Sequence, residues 1–224
     1  MAHISINFRS SALNMPVMMD VLLPENCKNC KTLYLLHGMG GDRESWLLRS
    51  RVADYVEGKQ IAVVMPSGNN KFFANNINGK AYQSFVTEEL IAQVEKWFAV
   101  SRKAEDRFVA GADMGGFGAL LAAVEHPALY HTAWSYHGLF YMQALCENAD
   151  ARMLKTVFGS KEQSEDVLSE LVKKLEVAKE QGNTNFVILN THEPFEKGID
   201  WTYLDDCIKK TIDYIVAGGN VTWQ

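Results

Sequence analysis

The stretch "VAGADMGGFGALL", residues 109–121, decides how the rest of the chain is read. A short apolar run, "RFVA" at 107–110, enters a turn of small residues and leaves as a helix carrying Phe117, Leu120, Leu121 and Val124, which ends before Pro127. Glycines on both sides of one central side chain are what a sharp strand-to-helix turn needs when it lifts that side chain above a sheet. The spacing is that of G-x-S-x-G, but the central position holds Asp113.

Working outward, residues 4–8 and 17–23 alternate apolar and polar (Ile4, Ile6, Phe8; Val17, Met19, Val21, Leu23), the period of two strands expected to pair antiparallel. Further runs are almost continuously apolar: "TLYLL" (32–36), "IAVVM" (61–65), "TAWSY" (132–136), "FVIL" (186–189) and "NVTW" (220–223). Such runs suit parallel strands covered on both faces. Helical patterns lie between them. The first is expected to open with Asp42 as N-cap, carry Trp46, Leu47, Val52 and Val56, and close at Gly58. Others start near Ser84 and Ser164, and the last carries Leu204, Ile208, Ile212 and Ile215. Strands alternating with helices predict one α/β domain over 1–224, with a doubly wound, mostly parallel sheet and ligands at the carboxyl ends of its strands.

Composition narrows the function. The 224 residues are 47% hydrophobic and 22% charged, with a formal net charge of −5, so neither nucleic acid nor an anionic membrane is the expected partner. No run approaches the length of a membrane span and the first residues lack a signal-peptide pattern, so the expectation is a cytoplasmic protein acting on a small molecule. Four cysteines include one C-x-x-C, Cys27 and Cys30, with no second pair for zinc; all four are read as free thiols, with no metal and no cofactor.

A second loop points to the same edge as the first. In "LLHGMGGDRESW", 35–46, a strand ends in His37-Gly38-Met39-Gly40-Gly41, where glycines let backbone N–H groups converge on a developing negative charge. Together, "LYLLHGMGGDRESWLLRS", "IAVVMPSGN", "EELIAQVEKWF" and "FVAGADMGGFGALLAA" closely resemble the esterase family of α/β-hydrolases that includes tributyrin esterases, S-formylglutathione hydrolases and feruloyl esterases. The similarity runs from about residue 16 onward. It implies an α/β-hydrolase fold, a serine nucleophile at position 113, a base in a G-x-H-x-W-like loop after the last strand, an acid after the preceding strand, and an oxyanion hole built from the N–H groups of Met39 and Met114.

The chain departs from that pattern at each triad position. Asp113 has no proton to pass to a base and would form a mixed anhydride with an ester. The acid position reads "NTHEPFEKG", where Glu193, within about one residue, falls nearest. The base position is unfilled, because "GGNVTWQ" reaches Gln224 without a histidine, and the closing helix is missing from the pattern. A homo-oligomer could cover the surface that helix leaves. Of the six histidines, His137 and His192 follow apolar strands and are the candidate substitutes. The resulting expectation is an ester hydrolase scaffold with a degenerate triad, weak or inactive as a serine esterase and binding a small ester-like ligand. The alternatives are an active esterase in a longer chain or with an atypical histidine, an Asp-nucleophile hydrolase acting on alkyl electrophiles, and a non-catalytic binding or assembly protein. Asp113 itself has two expected dispositions: folded back onto the N–H groups of Met39 and Met114 with a depressed pKa, or solvated in the turn.

Overall fold

The computed structural model describes residues 1–147, 152–190 and 200–219. Seven strands form one sheet: β1 (Ala2–Ser10), β2 (Met15–Leu23), β3 (Lys31–Leu36), β4 (Ile61–Pro66), β5 (Arg107–Ala112), β6 (Thr132–Tyr136) and β7 (Asn185–Leu189). Their spatial order is β1-β2-β4-β3-β5-β6-β7. β1 and β2 pair antiparallel with Ile4 opposite Val21, β2 pairs antiparallel with β4, and every pair from β4 to β7 is parallel. This is the predicted mixed sheet, with the predicted antiparallel pair at one edge. The segment 220–223, read as a final strand, and the region after it lie outside the described residues.

Both faces of the central strands are buried, and the pleat sorts their side chains. Tyr34, Leu36, Ala62, Val64 and Val109 join one core, while Leu33, Leu35, Val63, Met65, Phe108 and Ala110 join the other. That is why the sequence shows continuous apolar runs here and alternation only at the edge. The first core is closed by α3 (Tyr82–Ser84), a π-helical turn (Phe85–Glu89), α4 (Leu90–Trp97), α5 (Met114–Glu125), α6 (Gly138–Glu147), α7 (Arg152–Phe158) and α8 (Lys161–Gln181). The second is closed by α1 (Ser45–Arg49), α2 (Val52–Val56) and α9 (Trp201–Val216).

Two sequence expectations are corrected. The helix read from Asp42 to Gly58 is two short helices broken at Ser50 and Arg51, and Asp42 caps a preceding turn by accepting the N–H of Glu44 at 2.9 Å. Ser50 turns to extended backbone at the break (φ −132°, ψ 171°), where its N–H and hydroxyl both donate to the Trp46 carbonyl, at 3.1 and 2.6 Å, and its hydroxyl accepts the Val52 N–H of the second helix at 3.3 Å. Cys27 and Cys30 are joined by a disulfide rather than free, whereas Cys146 and Cys207 are free and buried.

Candidate active site

The carboxyl ends of β3, β5, β6 and β7 lie along one edge, and two loops meet there. Asp113 leaves β5 with φ +49° and ψ −116°, a region a side-chain-bearing residue occupies only under strain of the order of 1–3 kcal/mol. Two hydrogen bonds hold it: its N–H donates to the Tyr136 carbonyl of β6, and its carbonyl accepts from Phe117 N–H, both at 2.9 Å. The flanking glycines permit the close approach. A Cβ on Gly111 would lie 2.4 Å from the Gly115 carbonyl carbon, and one on Gly115 would lie 2.5 Å from the His37 carbonyl oxygen. The first turn of α5 therefore rests directly on the end of β3.

The loop after β3 is fixed from below by His37. This buried ring places Nδ1 2.8 Å from the Gly38 carbonyl, while Nε2 accepts the Gly68 N–H at 2.8 Å. An acceptor Nε2 and a donor Nδ1 define one neutral tautomer, and burial lowers the pKa further. His37 is a structural imidazole. Above it, Gly40 at φ +74° donates its N–H to Asn70 Oδ1 at 2.8 Å. Arg43 Nε reaches back 3.0 Å to the fully buried Asp20 on β2, whose other oxygen meets His3 and Ser5. The loop is thus tied to β2, to β4's exit and to α5.

Asp113 does not fold back onto the N–H groups of Met39 and Met114. Its carboxyl caps no N–H of α5, the residue is only partly exposed, and burial pushes its pKa up to about 7. The idea of a carboxylate folded into the hole, held ionised by Met39 and Met114, is overturned. Among the described residues neither of those N–H groups meets an acceptor. The Asp113 charge is instead felt by Tyr141 of α6, whose phenol is raised first by burial and then by that carboxylate.

Of the two candidate bases, His137 is among the described residues. The register that pairs Ala112 with Tyr136 puts the backbones of Asp113 and His137 side by side, and His137 is also left-handed, at φ +62°. Its ring, however, lies edge-on to Tyr203 of α9 at 5.1 Å. Burial lowers its pKa and Asp200 opposes that. His192 and Glu193 lie outside the described residues, so the structure places neither.

Sequence reasoning missed the wall of the site. Asn69, Asn70, Phe72 and Phe73 all have φ between +48° and +56°. Phe73 packs on His37 at 5.4 Å, and Phe72 lies against Phe117, Tyr141 and Phe158. The adjacent asparagines in "SGNNKFF" were the available signal, since Asn tolerates left-handed backbone better than most residues. Among the described residues no group of three or more His, Cys, Asp or Glu could hold a metal, and no helix is long and apolar enough to cross a membrane.

A strand, a strained elbow residue, a buried helix and a glycine loop beside them on a mixed seven-stranded sheet define an α/β-hydrolase of the esterase type. The family model described as "Putative esterase" matches residues 10–190, and the chain belongs to that family. An acetyl esterase from Caldicellulosiruptor saccharolyticus is 34% identical over 132 residues, covering 54% of this chain and 50% of that protein. An esterase from Mycobacterium tuberculosis is 30% identical over 141 residues, 58% of this chain and 31% of that one. The chain thus spans half or less of the length of these curated relatives. Among solved structures, the fluorophosphonate-binding serine hydrolase FphF of Staphylococcus aureus superposes with a TM-score of 0.76 at 22% identity, covering 96% of this chain and 98% of that one. The S-formylglutathione hydrolase FrmB of the same organism gives 0.72 at 24% identity over 96% and 98%. These likenesses establish the fold.

Proposed function

We propose that the chain keeps the acyl-binding site of an ester hydrolase but does not use it for serine-type turnover. The observation that carries this reading is the side chain at the elbow. A carboxyl stands where the family's chemistry needs a hydroxyl, and attack through it would give an anhydride rather than an ester intermediate. Two features support it. A pKa near 7 leaves Asp113 partly neutral at physiological pH and so a poorer nucleophile, and the His137 ring packs edge-on against Tyr203. The loop that holds Met39, by contrast, is fully braced by His37, Asn70 and Arg43, which is the architecture of a binding site.

A fluorophosphonate probe tests the reading, because it forms a stable adduct with an activated serine. Intact mass after incubation is expected to show unmodified protein. A stoichiometric adduct would overturn the proposal, whichever residue carried it.

A further inference from the structure

We propose that the chain forms a two-fold dimer with a second copy of itself through β1, the two strands pairing antiparallel about Ser5 so that the sheets of both copies join. β1 is the outer strand at the end of the sheet opposite β7, and among the described residues it pairs only with β2.

The register shows which backbone groups the open edge presents. The Ser67 N–H donates to the Met18 carbonyl at 3.0 Å, so Met18 turns its backbone toward β4 and Met19 turns its own toward β1. Ile6, opposite Met19, therefore faces β2, and the N–H and C=O groups of His3, Ser5, Asn7 and Arg9 point out of the sheet. Native sheets guard such an edge with short strands, prolines, bulges or charges. β1 runs for nine residues, pairs with β2 without a bulge, holds no proline or lysine, and has Arg9 as its only residue of fixed charge.

The edge is complementary to itself. With the axis at Ser5, Ser5 meets its own copy and His3 meets Asn7 of the partner subunit, each pair exchanging backbone hydrogen bonds. The intervening pairs, in which side chains stand closest, set half-buried Ile4 against Ile6 of the partner subunit and Ala2 against Phe8 of the partner subunit. Phe8 stands edge-on to Trp97 of α4 at 5.3 Å, and that indole is 39% exposed. A residue as small as Ala2 leaves room for the aromatic pair and extends its cover. Moving the axis to Ile6 would instead set Arg9 against His3.

The charges at the two ends match as well. Arg9 donates to the neutral Asn14 Oδ1 at 2.8 Å. Across the axis it comes beside Met1 of the partner subunit, and in each copy the Met1 nitrogen lies 3.5 Å from Glu25 and 3.7 Å from Glu57, two exposed carboxylates sharing one amino group. Each copy thus brings a guanidinium to the other's surplus negative charge, twice by symmetry.

Sedimentation and two cross-linking variants test the proposal. The wild type at micromolar concentration is expected to sediment with twice the mass of one chain. Asn7→Pro removes an outward N–H and keeps every bond to β2, so it is expected to fold, with a native circular dichroism spectrum and a cooperative melt, and to weaken the dimer roughly 100-fold. Under mild oxidation Ser5→Cys is expected to link two chains across the axis, where the Cα atoms stand about 5.5 Å apart, whereas Asn7→Cys, which meets His3 rather than itself, stays unlinked. A wild type that sediments as a monomer would overturn the proposal and leave the edge to another partner. A dimer that survives in folded Asn7→Pro would place the interface elsewhere. Should Asn7→Pro not fold, the cross-links decide, and a dimer that Ser5→Cys fails to link would refute the pairing about Ser5.

Discussion

Replacing Asp113 with Asn should stabilise the protein, and by an amount that depends on pH. In the unfolded chain the carboxyl titrates near its ordinary value of 3.8, and in the folded protein burial holds it at about 7. The folded state therefore binds the proton more tightly than the unfolded state. Below pH 3.8 both are protonated and no penalty exists; between 3.8 and 7 the penalty grows; above 7 it is constant. At 1.36 kcal/mol per unit, the cost of ionising Asp113 in place is about 0.5 kcal/mol at pH 4 and about 4 kcal/mol at pH 8. Asn occupies the same volume, tolerates the same positive φ and carries no charge at either pH, so it removes this term and little else. For a chain of 224 residues, a gain of that size raises the melting temperature by about 8–16 °C at pH 8. Calorimetric melting of both proteins at pH 4 and pH 8 measures it. An Asn variant no more stable than wild type at pH 8, or a gain equal at both pH values, would refute the electrostatic account of the elbow.

Other perturbations probe the surrounding scaffold. Gly138→Ala places a Cβ 2.3 Å from the Gly116 carbonyl carbon where α6 crosses α5, and should cost about 3 kcal/mol by urea denaturation; an unchanged midpoint would contradict the packing. Asp20→Ala leaves Arg43 without its buried carboxylate partner, so a loss of about 3 kcal/mol is expected by urea denaturation, as the loop carrying Met39 loses its tie to β2. In ¹⁵N spectra at about pH 6.5, His37 should appear as the neutral Nδ1–H tautomer, and a doubly protonated ring would exclude the bond from Gly68. Alkylation of the denatured, unreduced protein should label two cysteines, rising to four after reduction; four from the start would deny the link between Cys27 and Cys30.

Much of the fold could be read from the chain because parallel strands buried on both faces leave unmistakable apolar runs, and each described run is a strand within one or two residues of its predicted limits. The break at Ser50 was not legible, since the apolar spacing continues across it while the backbone turns extended at a single residue. Helices α6 and α7 escaped notice because they pack among other helices as well as the sheet, which blurs a one-sided apolar stripe. At the site, the positions of Asp113 and His37 follow from local glycine patterns. The ionisation of Asp113 does not, because burial is a tertiary property. Even the residue that sits beside it in the sheet, His137, turns its ring to α9, a contact between segments far apart in sequence.

Steady-state hydrolysis of p-nitrophenyl butyrate by the wild type and by Asp113→Ala, measured from pH 6 to 9, tests the central claim most directly. The account predicts equal rates, at the level of the uncatalysed reaction, for both proteins at every pH. Turnover by the wild type that is lost in Asp113→Ala would show the elbow carboxyl to be a working catalytic group and would contradict it.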